Sequence, residues 1–359
     1  MKKIKLLKTL LIPTIGIIAI GTIASVSTSC SSVVPVTSYI CITANADSNL
    51  ELRNSDNNPN LQYSPDGKNW TTYSEKINIP ANGKIYLKGI NQNGWSLSNK
   101  KYSFFKIAGD VSLSGSIMSL LDNGTGTISS IPNEYCFYDL FDGSEGITSV
   151  SENFLPATGL TENCYANMFI NCTSLTTAPA LPATTLANFC YYNMFSNCTS
   201  ITTTPELPAT TIASNCYSNM FDGCTSLTTA PALPAITLAT GCYWYMFNGC
   251  TLLTTAPALP ATTLSSYCYY AMFQYCTSLI TAPDLPATNL ADHCYYDMFQ
   301  GCTLLNSVRI SYGGTASRAP SGAFDYWVNG VAPSGTFYYK GSDTLENFGL
   351  PSGWTINPN

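Results

Sequence analysis

The chain has 359 residues, enough for two or three domains with cores of their own. Hydrophobic residues make up 45% and aromatics 12%, the composition of a folded protein, yet charged residues are only 10% against about 25% in ordinary soluble domains. The net charge of −6 argues against a nucleic-acid partner, because phosphate affinity comes largely from Lys and Arg.

The first thirty residues stand apart. "MKKIKLLK" places four lysines ahead of the apolar run "TLLIPTIGIIAIGTIASV", which ends in "STSC". That order is a secretion signal. Small residues followed at once by Cys30 resemble the lipobox of bacterial lipoproteins, in the looser form of mollicute lipoproteins, with Ser27 where Leu is usual. The resemblance implies a signal peptide over residues 1–29, lipid attachment at Cys30, a polar tether over 30–37, and anchoring on the extracellular face of the cell membrane. The alternative is an uncleaved anchor, since about 18 apolar residues just span a bilayer. Cleavage removes Lys2, Lys3, Lys5 and Lys8 and leaves 11 basic against 21 acidic residues, a net charge of −10.

From residue 38 to 110, runs such as "YICITA", "LELRN" and "IYLKGI" alternate with turn clusters such as "SDNNPN" and "SPDGKN", which predicts a small antiparallel β domain. Trp70, Tyr73 and Trp95 are expected in its core rather than on a glycan platform. Residues 111–135 form a connector.

Residues 136–305 carry the strongest signal. Met168, Met194, Met220, Met246, Met272 and Met298 recur every 26 residues, as do the cysteine sets beginning at Cys164 and Cys172. A degenerate copy starts at Cys136, with Ser144 in place of the second Cys. Periods of this length predict stacked repeats with atypical terminal copies. Within "LANFCYYNMFSNC", Leu186, Cys190, Met194 and Cys198 are four apart, which predicts one face of a short α-helix. "LTTAPALPA" is extended, but its prolines limit strands to about three residues. The expected fold class is therefore an α/β repeat solenoid, leucine-rich-repeat-like, with a short extended segment and a short helix per unit. A small β domain precedes it, and a β-rich C-terminal cap over 306–359 closes it.

The order "CTSL…LP…L…C…MF..C" resembles the BspA-like leucine-rich-repeat surface proteins of bacteria, over residues 136–305. The chain departs from that family in unit length, in Met for Ala and in heavier proline. The resemblance implies a cell-surface protein engaged in adhesion or host contact, with a host protein or glycan as partner. The competing expectation is a structural or antigenic coat protein without a specific ligand.

No enzyme is expected, and no cofactor. The paired cysteines lie eight apart, unlike zinc ligands, and a bridge within a pair fails on helical geometry; bridges between neighbouring copies stay open. Buried thiols acting as small hydrophobes are the favoured reading. His293, the one histidine, sits at the most variable place of the unit and reads as a solvated helix residue. Six residues are candidates to face a ligand. Glu206 and Asp284 occupy equivalent places where other copies hold Ala. Tyr192, Trp244, Tyr270 and Tyr296 form a row where Ala166 and Ser218 also occur, unlike the unvarying row that begins at Tyr165 and reads as a packed ladder.

Overall fold

The computed structural model describes residues 38–55 and 58–358, so the expected signal peptide, Cys30 and the tether lie outside the described residues. Alternation of apolar and polar side chains builds the first part: β1 (Ile40–Ala44), β2 (Ser48–Ser55), β3 (Gln62–Ser64), β4 (Thr71–Thr72), β5 (Ile77–Ile79), β6 (Lys84–Lys88), β7 (Tyr102–Ala108) and β8 (Val111–Ser114). In β1, Ile40, Ile42 and Ala44 are buried and the residues between them half-buried, as a period of two requires. After the one-turn helix α1 (Ser119–Asp122) comes β9 (Ile147–Val150), which pairs with β8 in parallel. One sheet runs β4-β3-β6-β1-β8-β9 and a second β5-β2-β7. Trp95 is fully buried and its indole N–H donates to the Ser103 carbonyl, while Tyr73 packs at the core edge and its hydroxyl accepts from the Leu52 amide.

The expected helix in each 26-residue unit is not found: α1 is the one α-helix among the described residues, and it lies before the repeats. The helical leucine-rich-repeat-like class is overturned by the backbone pairing. The N–H groups of Ala166, Met168, Ile170 and Cys172 bond three residues back, to Asn163, Tyr165, Asn167 and Phe169. Those of Tyr165, Asn167, Phe169 and Asn171 bond forward to Cys190, Tyr192, Met194 and Ser196 of the next copy, at 2.8–3.1 Å. Asn163, Asn167 and Asn171 have φ of 55 to 60°. A three-residue closure with a left-handed third position is the type II pattern, and here it alternates with turns that lack one. The result is a ribbon of turns with a left-handed residue at every fourth place. L-residues cannot run a right-handed helix through such places, and Asn and Gly occupy them at least cost.

The extended half of each unit carries Pro179 and Pro182 or their copies, which remove ladder donors. It pairs only through single parallel bridges, such as Thr177 with Thr203, Thr229 with Thr255 and Thr185 with Thr211, instead of three-residue strands. Ser149 of β9 bridges Thr177 at one end of the array. At the other, Thr281 bridges Ser307 of β10 (Ser307–Arg309), which continues in parallel into β11 (Ser334–Tyr338) and β12 (Gly353–Asn357).

Stacking copies in register stacks identical side chains. Tyr165, Tyr191, Tyr217, Tyr243, Tyr269 and Tyr295 form a buried column with ring centroids 5.9–6.1 Å apart and planes within 7°. Phe141 through Phe299 form a second, at 5.3–5.8 Å. All fourteen described cysteines are free thiols, and all except Cys41 are buried. The second cysteine of each copy has a further role that hydrophobicity alone does not predict. Cys172, Cys198, Cys224, Cys250, Cys276 and Cys302 direct Sγ at the carbonyls of Phe141, Phe169, Phe195, Phe221, Phe247 and Phe273, at 3.0–3.2 Å. Ser144 makes the corresponding bond, from Oγ to the Phe105 carbonyl at 2.7 Å. The degenerate copy therefore keeps the donor while losing the sulfur.

Candidate binding face

The turn ribbon presents its left-handed residues and their neighbours outward, and the chemistry of that face changes along the array. In the early copies it is polar. Asn197 Nδ2 donates to Asn171 Oδ1 at 3.0 Å, and Asn171 Nδ2 to Asp142 Oδ1 at 3.2 Å. From Trp244 onward rings join the amides, since Asn248 Nδ2 still donates to Asp222 Oδ1 at 2.7 Å and Gln274 pairs with Gln300. Trp244 lies 5.3 Å from Tyr270 and 5.9 Å from Tyr267, Tyr270 stacks on Tyr296 at 4.8 Å with planes within 5°, and Tyr296 meets Tyr326 edge-on at 5.7 Å. Tyr245 packs on Tyr270 at 5.5 Å. His293, expected as a lone solvated residue, stacks on Tyr267 at 4.9 Å and leans on Tyr296. Trp244, Tyr275 and Tyr326 are exposed by 37%, 51% and 61%, too much for core residues and unusual for large rings on a free surface.

Of the six residues singled out in the sequence, the structure joins three: Trp244 meets Tyr270 edge-on and Tyr270 stacks on Tyr296. Tyr192 stands on the same row but contacts Phe189, because Ser218 interrupts the row between it and Trp244. Glu206 and Asp284 lie on the extended half of their units and are exposed. Glu206 lines a shallow groove of about 490 Å³ with Glu152, Pro182 and Pro208. Asp284 pairs with Arg309 at 3.4 Å, and the Arg309 guanidinium in turn sits 4.0 Å over the Tyr338 ring.

Tyr245, Tyr267, Tyr275, His293 and Asp297 are not among the residues singled out in the sequence, although their spacing of four would have put them on one side of a helix as well. All five hold left-handed positions, with φ from 53 to 60°. The available signal was that they align with Asn and Gly in other copies: Asp297 with Asn167, Asn193 and Asn219, and Tyr275 with Gly223, Gly249 and Gly301. Asp297 Oδ1 and His293 Nδ1 are buried with no hydrogen-bond partner. Partial burial raises the Asp297 pKa, and those of Tyr245, Tyr270 and Tyr296 are raised first by their own burial, with the Asp297 charge a smaller contribution.

At the far end of the same column, burial pushes the Asp139 carboxyl up to about 7, opposed by a hydrogen bond from Asn167 and helped by the neighbouring Asp142. Burial also raises the thiols of the core, Cys164 and Cys216 to about 12, so they are protonated and poor nucleophiles. Among the described residues no group of three His, Cys, Asp or Glu side chains could hold a metal ion. Nor is any described helix long and apolar enough to cross a membrane. No family model matches the chain, and no curated protein or solved structure was found to be similar to it.

Proposed function

We propose that the chain is a lipid-anchored cell-surface repeat protein that uses the aromatic part of its turn ribbon to hold a host protein or glycan. The observation that carries this reading is the run of touching, part-exposed rings from Trp244 to Tyr326, stacked at Tyr270–Tyr296 and edge-on at either end, set on a backbone that elsewhere holds Asn, Ser and Gly. Clustered exposed aromatics mark interaction surfaces more often than they decorate free ones. We read the chain as a binding protein and not an enzyme. The BspA-like order of the unit supports a place at the cell surface, and the "STSC" end of the leader supports acylation of Cys30.

A screen of the protein against glycans and host matrix proteins tests the binding half. Saturable binding that Trp244→Ala with Tyr270→Ala abolishes supports it, and binding untouched by those changes refutes it. Metabolic fatty-acid labelling tests the anchor: Cys30→Ala should lose the label, and an unchanged label would refute acylation there. The second reading, a coat protein with no ligand, is favoured by the polar, self-paired early copies, and a clean negative in the screen would select it.

A further inference from the structure

The charge of the array narrows the ligand. Between Lys106 and Arg309 the chain has no lysine or arginine, while thirteen Asp and Glu fall in that span. The aromatic face therefore lies in a field of one sign, with no cation from the repeats to neutralise it. Asp297 follows Tyr296 in the chain, shares a column with Tyr245 two copies earlier, and its Oδ1 is buried with no hydrogen-bond partner. The Asp297 amide donates to the Asp325 carbonyl at 3.1 Å, and Asp292 precedes His293. Electron-rich ring faces and an unsatisfied carboxylate attract the same thing, a cation that can be partly desolvated. A neutral sugar would use the rings but leave the carboxylate without a charged partner. The rings also recur in successive copies about 5 to 6 Å apart, so a ligand with several cations along its length can engage more than one.

We propose that the Trp244–Tyr270–Tyr296–Asp297 face binds an arginine- or lysine-rich polypeptide segment laid along the array, the guanidinium or ammonium groups seated over the tyrosine rings and paired with Asp297. This rests on the adhesion reading and selects protein over glycan within it. Arginine fits better than lysine, because a planar guanidinium stacks on rings and pairs with a carboxylate at once.

The test is titration of the full chain with an oligo-arginine peptide, read by Trp244 fluorescence and by calorimetry at low and high salt. Asp297→Asn keeps the residue type found at Asn167, Asn193 and Asn219, so the fold is retained. Saturable binding is expected, weakened about tenfold by Asp297→Asn and by Tyr270→Ala with Tyr296→Ala, and weakened by salt. Glu206→Gln removes the same charge from the other face and should change affinity less than about twofold. Equal losses from Asp297→Asn and Glu206→Gln would overturn the proposal in favour of diffuse attraction, and so would the absence of saturable binding. If the peptide fails while Trp244→Ala and Tyr270→Ala still abolish glycan or matrix binding, the cationic ligand falls and the adhesion reading stands. If those variants also leave such binding intact, both fall.

Discussion

The early copies, from Asn163 to Cys224, and the late ones, from Gly241 to Cys302, have one interior and two exteriors. Inside, the tyrosine, phenylalanine and cysteine columns run through both without change of spacing. Outside, the early ribbon pairs amides from copy to copy while leaving Asn167 Oδ1 unpartnered, and the late ribbon keeps one amide pair, Gln274 with Gln300, but adds part-exposed rings and a carboxylate whose buried Oδ1 is unpartnered. The comparison separates two kinds of constraint. Stacking fixes whatever points inward, because a changed side chain would misfit neighbours on both sides. The left-handed positions constrain backbone more than side chain, so they hold mostly Asn in the early copies and Tyr, His, Asp or Gly in the late ones.

The largest expected effect tests the shared interior. Thiol labelling of the native protein should modify Cys41 far faster than the thirteen other described cysteines, by a factor of about a hundred or more, in early and late copies alike. Rapid labelling confined to the late copies would show that their core is looser and break the equivalence. Next come Leu181→Ala and Leu259→Ala, equivalent buried leucines in an early and a late copy. Each should cost roughly 2–5 kcal/mol in denaturant unfolding, and the two values should agree within about 1 kcal/mol. A much cheaper late substitution would mean that the aromatic face compensates for a weaker core.

Asp139 and Asp297 share one column and sharpen the exterior side of the comparison. The Asp139 carboxyl titrates near 7 when folded, against 3.8 as the ordinary value. Between those pH values the folded chain holds a proton that the unfolded chain has lost, so stability falls as pH rises across that window. Asp139→Asn should remove this slope and stabilise the protein at pH above 7 by roughly 1–3 kcal/mol, measured as thermal midpoints across the window. Asp297, more exposed, should show the same sign with a shallower slope. A stability that rises with pH, abolished by Asp139→Asn, would contradict the burial argument.

How much was legible follows the same division. In β1 the period of two translated directly into burial, and the 26-residue period marked the stacked columns without reference to backbone conformation. The ribbon was misread because four is close to 3.6. On a helix, though, each step of four overshoots by about 40°, so Leu186 and Cys198 would diverge by about 120° and could not share a core face. The corrective signal was also present: Asn163, Asn167 and Asn171 repeat the period, and Gly143, Gly223, Gly249 and Gly301 stand where a helix would be weakened. The aromatic face could be read only as the single row of Tyr192, Trp244, Tyr270 and Tyr296. The residues that complete it come from left-handed positions, which have no place on a helix.

The claim that each unit turns on a left-handed residue at every fourth place is tested most directly by Tyr275→Gly. Tyr275 is half exposed, has φ 58°, and occupies the place of Gly223, Gly249 and Gly301. In a turn ribbon the change relieves a strained L-residue and should raise stability by about 0.5–1 kcal/mol, a rise of roughly 1–3 °C in the thermal midpoint for a chain of this size. In a helix the same change would lower stability by about 1 kcal/mol, and a fall of that size would contradict the account.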